Sequence, residues 1–215
     1  MITRAMVALI RKDLYLYRWL IVGTLVGGML ALWLSDLDGN VSLAGHILLV
    51  TAIVVLGVIL AVHGPLSERQ AQSYSFVLSL PVSIGQAAAA RVLGSLSGFL
   101  LAWAPLLLVV LTLHDGPSGE LAWFVGLMVF LLANFGLLLA LTVLGRNELW
   151  SVTGIVVSNT AVPLFQLLAL PALTRGADGE LAWTPQLFLT LSGLLLAAAL
   201  ALGLALLFTS RRDVS

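Results

Sequence analysis

The chain has 215 residues, of which 60% are hydrophobic and only 9% charged, with a mean hydropathy of +1.11. A soluble domain carries roughly a quarter of its residues as Asp, Glu, Lys and Arg, so a water-soluble fold is excluded. The formal net charge is zero and there is no cysteine, which removes disulfides, thiolate nucleophiles and Cys-ligated metals from consideration.

The first segment is basic. Thr3 offers an N-cap. Met6, Ile10, Leu14 and Tyr17 make an apolar stripe at helical spacing, while Arg4, Arg11 and Arg18 recur every seven residues on another face. Residues 1–18 are expected to form an amphipathic helix in the headgroup plane, to serve as an orientation anchor, or to do both.

Six apolar runs follow, at 19–34, 44–64, 92–113, 121–144, 150–173 and 186–208, none with an Asp, Glu, Lys or Arg inside it. About 20 such residues cross a bilayer as a helix. Long Leu- and Ala-rich runs without strict alternation mean helices rather than barrel strands. The first run has a basic flank, as a signal peptide does. It is long for one, however, and Trp33-Leu34-Ser35-Asp36 has no small-residue cleavage pattern, so a retained helix is expected. Trp19, Trp33, Trp123, Trp150 and Trp183 fall near the ends of runs, where an aromatic belt belongs.

The gaps between runs are unequal in charge. Nine of the ten Lys and Arg residues occupy alternate gaps, and Arg175 alone occupies the other set. The other set carries Asp36, Asp38, Asp115, Glu120, Asp178 and Glu180. Excess Lys and Arg marks the cytoplasmic side. Six spans then put both termini inside, in agreement with the basic start and the Arg211-Arg212 tail. The fold class expected is an all-α integral membrane protein, one transmembrane domain over 1–215.

The longest inner gap, 65–90, carries two capping-box patterns. Ser67-Glu68-Arg69-Gln70 opens one short helix and Ser83-Ile84-Gly85-Gln86 opens another. Pro81 disfavours helix at Leu80. A capped helix jutting from a membrane bundle suits docking into a groove on a cytosolic partner; it serves equally as an elbow joining two spans.

Within the spans, Pro105, Pro163 and Pro171 are expected to kink their helices. Asn134 reads as a helix–helix hydrogen-bonding group, and Asn159 and Gln166, near Pro163, as candidates to line a translocation path. Gly23-x-x-x-Gly27 and Gly94-x-x-x-Gly98 permit close helix approach, inside the chain or at a dimer seam. Gly-Glu-Leu-Ala-Trp occurs at 119–123 and again at 179–183. The two copies read as similar interfacial approaches to a helix, each with a turn, an acidic residue near the N-terminus and a belt Trp, rather than as an ancient repeat.

Three of these features together resemble the permease subunit of bacterial ABC-2 type transporters. They are Arg11-Lys12-Asp13-Leu14 before the first span; Glu68 followed by Ser79-Leu80-Pro81-Val82-Ser83 and Arg91 in the second inner segment; and Arg211-Arg212-Asp213 at the tail. The chain departs from the family at Ile84-Gly85, where relatives often place a basic residue. The resemblance covers the whole length. It implies a multi-pass protein of the bacterial inner membrane that pairs with itself or a paralogous permease and works with a separate cytosolic ABC ATPase subunit. The helix in 65–90 becomes a coupling helix, with Glu68, Arg69, Tyr74 and Phe76 facing the ATPase and Leu80 and Pro81 turning the chain back. ATP would be bound by that partner. The chain's one lysine, Lys12, has no glycine near it and cannot form a phosphate-binding loop. No cofactor and no nucleic-acid partner are expected, and the chain is not expected to be an enzyme.

Two further functional classes compare poorly with the sequence. Intramembrane catalysis lacks its parts: His46 and His114 belong near one face and His63 near the other, about 30 Å apart. A self-contained secondary carrier, or a membrane scaffold without transport, is the alternative. Proton- or sodium-coupled carriers place ionisable groups inside the bundle, and these runs contain none.

Overall fold

The computed structural model describes residues 4–37, 39–63, 84–113, 118–145, 148–176 and 180–211. It is all-α. Helix α1 spans Arg4–Ser35, α2 Asn40–Val58, α3 Ile84–Leu113, α4 Gly119–Leu144, α5 Glu148–Leu164, α6 Leu170–Thr174 and α7 Pro185–Arg211. A π-helical turn, Ile59–His63, extends α2, and a second, Phe165–Ala169, joins α5 to α6. Six stretches are long and apolar enough to cross a membrane: Met6–Ser35, Asn40–Val62, Gly85–Leu113, Gly119–Leu144, Leu149–Thr174 and Pro185–Thr209. They match the six expected runs, and the chain is a six-span α-helical membrane protein.

Span four, formed by α4, is the centre of the bundle. In an 18-residue apolar stretch of this span 61% of residues are buried, against 17% in the like stretch of span six and 22% in that of span five. Helix α4 packs on α7, α5, α3 and α2, while α1 packs on α2 and α3. The core is made of stacked phenylalanines and interdigitated leucines. Phe99 of α3 lies face to face with Phe135 of α4, ring centroids 4.2 Å apart. Phe130 of α4 stacks on Phe165 of the second π-turn at 3.9 Å. Aromatic pairs of this kind add about 0.5–1.5 kcal/mol beyond the area they bury.

Two close approaches set the connections. At the acidic end α1 and α2 form a hairpin, and Gly39 turns it with φ of 70°, a conformation that costs glycine little. Gly45 of α2 then lies directly on the backbone of Ala31, Leu34 and Ser35. A side-chain carbon there would have no room.

The amphipathic segment is helical, as expected, and it is continuous with the first span rather than a separate element. Helix α1 continues unbroken from Arg4 to Ser35. The physical reason is local and tertiary. No Gly or Pro interrupts residues 4–22, and the apolar stripe meets protein. Met6 is buried, and Leu14 and Tyr17 pack on the core beside α3. Arg4, Arg11 and Arg18 are exposed on the other side.

Proline leaves distinct marks. Pro105 sits inside α3 and Pro163 inside α5. Just after Pro163 the helix widens into the π-turn Phe165–Ala169, where the Leu170 N–H donates to the carbonyl of Phe165, five residues back. Such bulges accommodate a broken ladder without leaving backbone groups in lipid unpaired.

Candidate functional site

At the Arg-rich end of the bundle, a charged cluster joins α1 to the start of α3. The Asp13 carboxylate has Lys12 Nζ 3.8 Å away. It lies over the bare backbone of Gly94, with Oδ2 3.1 Å from where a side-chain carbon would sit, and Ile10 flanks the same spot. Half-buried Arg91, one turn earlier on α3, is within electrostatic reach of both Asp13 and Tyr17. An isolated charge would be costly in this environment, and a carboxylate facing a guanidinium lowers that cost. Sequence reasoning missed this cluster because it treated residues 1–18 and Arg91 as flanks of the spans. The signal was present: Asp13 falls on the same stripe as Met6, Ile10 and Tyr17, so an acidic group was pointing where the apolar ones point.

At mid-depth, the Asn134 amide of α4 donates to Ser158 Oγ of α5 at 2.7 Å. This is the interhelical role expected of Asn134. The pair lines a small pocket with Phe99, Phe135, Gly57 and Leu138. Ser95 of α3 donates to the carbonyl of Leu60 at 3.0 Å, in the first π-turn. The two expected path residues are not brought together. Asn159 is exposed on the outward side of α5, and Gln166 is half-buried in the second π-turn. Glu68, Arg69, Tyr74, Phe76, Leu80 and Pro81 lie outside the described residues. Helix α3 begins at Ile84, where the second capping box puts its first turn.

The glycine pairs separate. Gly94 and Gly98 are used internally, against Asp13 and Ile10 and against Leu60 and Ile21. Gly23 and Gly27 face open space.

The acidic end is rigidly built. Ser118 Oγ accepts from the Leu121 N–H at 3.2 Å and caps α4, whose first turn holds Glu120. His46 stacks on Phe124 at 5.0 Å and meets Trp123 edge-on, and its Nδ1 lies 2.7 Å from the Ser42 carbonyl. This is a packed interfacial histidine. Arg175, the one cation at this end, bridges to Leu181 in a tight connection. The Gly176 N–H donates to the Glu180 carbonyl at 2.8 Å.

Here the two Gly-Glu-Leu-Ala-Trp copies behave differently. The first opens α4, whereas Leu181 to Trp183 of the second are extended and the next helix starts only at Pro185. Glu180 is therefore not in a helical first turn, which corrects the reading of two equivalent approaches. The copies also touch. Gly119 lies directly on the Leu181 carbonyl, with no space for a side chain.

Among the described residues no three His, Cys, Asp or Glu gather in a metal-binding group. No family model matches the chain, and no curated protein or solved structure matches it either. What its own residues establish is a polytopic α-helical membrane protein, with a charged cluster of Lys12, Asp13 and Arg91 at the Arg-rich end and an Asn134–Ser158 pair between α4 and α5 at mid-depth.

Proposed function

We propose that this chain is the membrane-spanning subunit of an ATP-driven exporter of the ABC-2 type, working with separate cytosolic ATPase subunits and a second permease chain. What supports the reading is the sequence of residues 64–83. They connect spans two and three at the Arg-rich end, the end that the charge rule assigns to the cytoplasm. There the sequence holds the capped segment, the Leu80-Pro81 turn and the candidate ATPase contacts Glu68, Arg69, Tyr74 and Phe76. Closure of the ATPases would push on this segment and shift the bundle between inward- and outward-open states. The brief connections at the acidic end suit export better than capture from outside.

The absence of ionisable side chains at mid-depth among the described residues weighs against a proton- or sodium-coupled carrier. Asp13, within electrostatic reach of Arg91, is the observation among the described residues that favours such a carrier. It sits at one end of the bundle rather than at the midplane, and a coupling-ion site belongs near the midplane.

Co-purification with a cognate ABC ATPase subunit tests the reading. Wild type should retain the ATPase, and the double variant Glu68→Ala, Phe76→Ala should lose both it and transport. Unchanged binding and transport would overturn the coupling assignment. Transport that survives ATP depletion would favour the carrier.

A further inference from the structure

We infer that the exposed face of α1 holds an anionic phospholipid, with its phosphate on Arg18 and its tail along the apolar residues that follow. The site stands whether or not an ATPase drives the protein.

The level of Arg18 decides what it meets. Asp36 follows α1 directly, so Ser35 marks one edge of the hydrocarbon layer. About 20 helical residues cross that layer. Counting back from Ser35 puts the other edge near Leu16, with the Arg18 backbone about 3 Å inside it. Side chains on a helix lean toward its N-terminus, which for Arg18 is the way out of the layer. The guanidinium takes that direction. It lies over the ring of Tyr15, one turn back, 4.0 Å from the centroid, and 5.4 Å from that of Trp19. A cation at this height meets headgroups rather than tails. Because α1 is unbroken, Arg11 and Arg4 stand about 10 and 20 Å farther along the axis. Of the three arginines, Arg18 is the one level with the phosphates.

Protein does not answer the charge on this face. Arg4, Arg11, Tyr15, Arg18 and Trp19 are all exposed. Among the described residues none of the three arginines has an ion pair. The acidic residue of α1, Asp13, is turned toward α3. The aromatic rings steady the Arg18 guanidinium without neutralising it, and its planar fork matches a phosphate with two parallel bonds. Arg11 sets the sign of the lipid. Standing over the headgroup, it repels the ammonium of a zwitterionic lipid and favours a headgroup that carries net negative charge.

Past Arg18 the same face turns apolar. Val22, Val26 and Met29 are exposed and lie within about 80° of Arg18 around the helix. Cation, aromatic rings and aliphatic lane follow the order of a phospholipid from headgroup to tail. A second copy suits this face poorly: two chains inserted the same way and packed by it would set both groups of arginines side by side.

Native mass spectrometry of the full chain tests the site, using micelles with equal amounts of phosphatidylglycerol and phosphatidylcholine of matching tails. Wild type should retain phosphatidylglycerol about fivefold over phosphatidylcholine, the ratio for one basic residue near an anionic headgroup. Arg18→Gln should bring the two to parity. Arg18→Lys, which keeps the charge but not the planar fork, should fall between. Tyr15→Leu should lower the preference by about two- to fivefold, the ratio for one cation–π contact. Arg4→Gln, more than a Debye length from the phosphate, should leave it unchanged. In phosphatidylcholine alone, Arg18→Gln should melt with wild type; a lower melting temperature would make Arg18 a structural residue and overturn the inference. So would equal retention of both lipids by wild type, equal losses in the Arg4 and Arg18 variants, or displacement of the lipid by glycerol phosphate. Should Arg18→Gln keep the lipid and release a co-purifying ABC ATPase subunit, the face is a protein contact; the lipid site is then rejected and the exporter reading stands.

Discussion

Asp13 on α1 rests its carboxylate on the backbone of Gly94 on α3, Oδ2 3.1 Å from where a β-carbon would begin. The contact makes the base of the first span and the base of the third a single charged joint, with Arg91 one turn away. Gly94→Val would push the carboxylate off this surface and force α1 away from α3. Overpacking of this kind costs about 1–3 kcal/mol, and thermal unfolding in detergent should show the loss. Asp13→Ala should also destabilise, because it leaves half-buried Arg91 without its countercharge. The double variant Asp13→Ala, Arg91→Met should recover part of that loss.

Asn134 and Ser158 give a second measurable coupling. Each single replacement, Asn134→Leu and Ser158→Ala, removes the 2.7 Å bond. The double-mutant cycle should return an interaction of about 0.6–1.7 kcal/mol, the range for polar contacts between membrane helices. A coupling of zero would mean that the pair is incidental.

Glycines at the two ends of the space scale make a paired test. Gly119→Ala would drive a methyl group into the Leu181 carbonyl; the connection must shift, and a loss of about 1–3 kcal/mol is expected. Gly193 of α7 meets nothing within 4 Å. Gly193→Ala should be neutral or stabilising by up to about 1 kcal/mol, the difference in helix propensity. Melting temperatures of the two variants should move in opposite directions, or only the first should move.

Phe99 anchors the core between α3 and α4, 1% exposed and stacked on Phe135. Phe99→Ala should cost about 3–5 kcal/mol, and Phe99→Leu markedly less. If both are tolerated equally in an unfolding assay, the stacked core is not what holds these spans together.

The spans were legible in the sequence because a bilayer imposes one demand, length without charge, and each of the six runs meets it. Helix ends were read less well. The second capping box marked the start of α3 at Ile84, but that helix was read as separate from the third span; alanines 87–90 favour helix and join the two, which puts Arg91 inside α3. Asn134 was assigned correctly, since a mid-span amide on the most apolar helix has few options other than a neighbouring helix. Asn159 was placed on a path, but nothing in its own span says which way it points; only the burial of Ser158 beside it decides that. The repeated pentapeptide was the hardest case. Identical residues opened a helix in one copy and lay extended in the other, because the second copy is held by the bridge between Arg175 and Leu181. Tertiary pairing outweighed local propensity there.

The unbroken length of α1 has a mechanical consequence. Thirty-two residues make a rod of about 48 Å, while the hydrocarbon layer is about 30 Å thick. The surplus is either stalk or tilt. Since Asp13 ties the stalk to the foot of α3, neither can swing alone. A displacement at the foot of α3 would pass through that joint into α1, whose far tip, Ser35, lies at the opposite end of the helix.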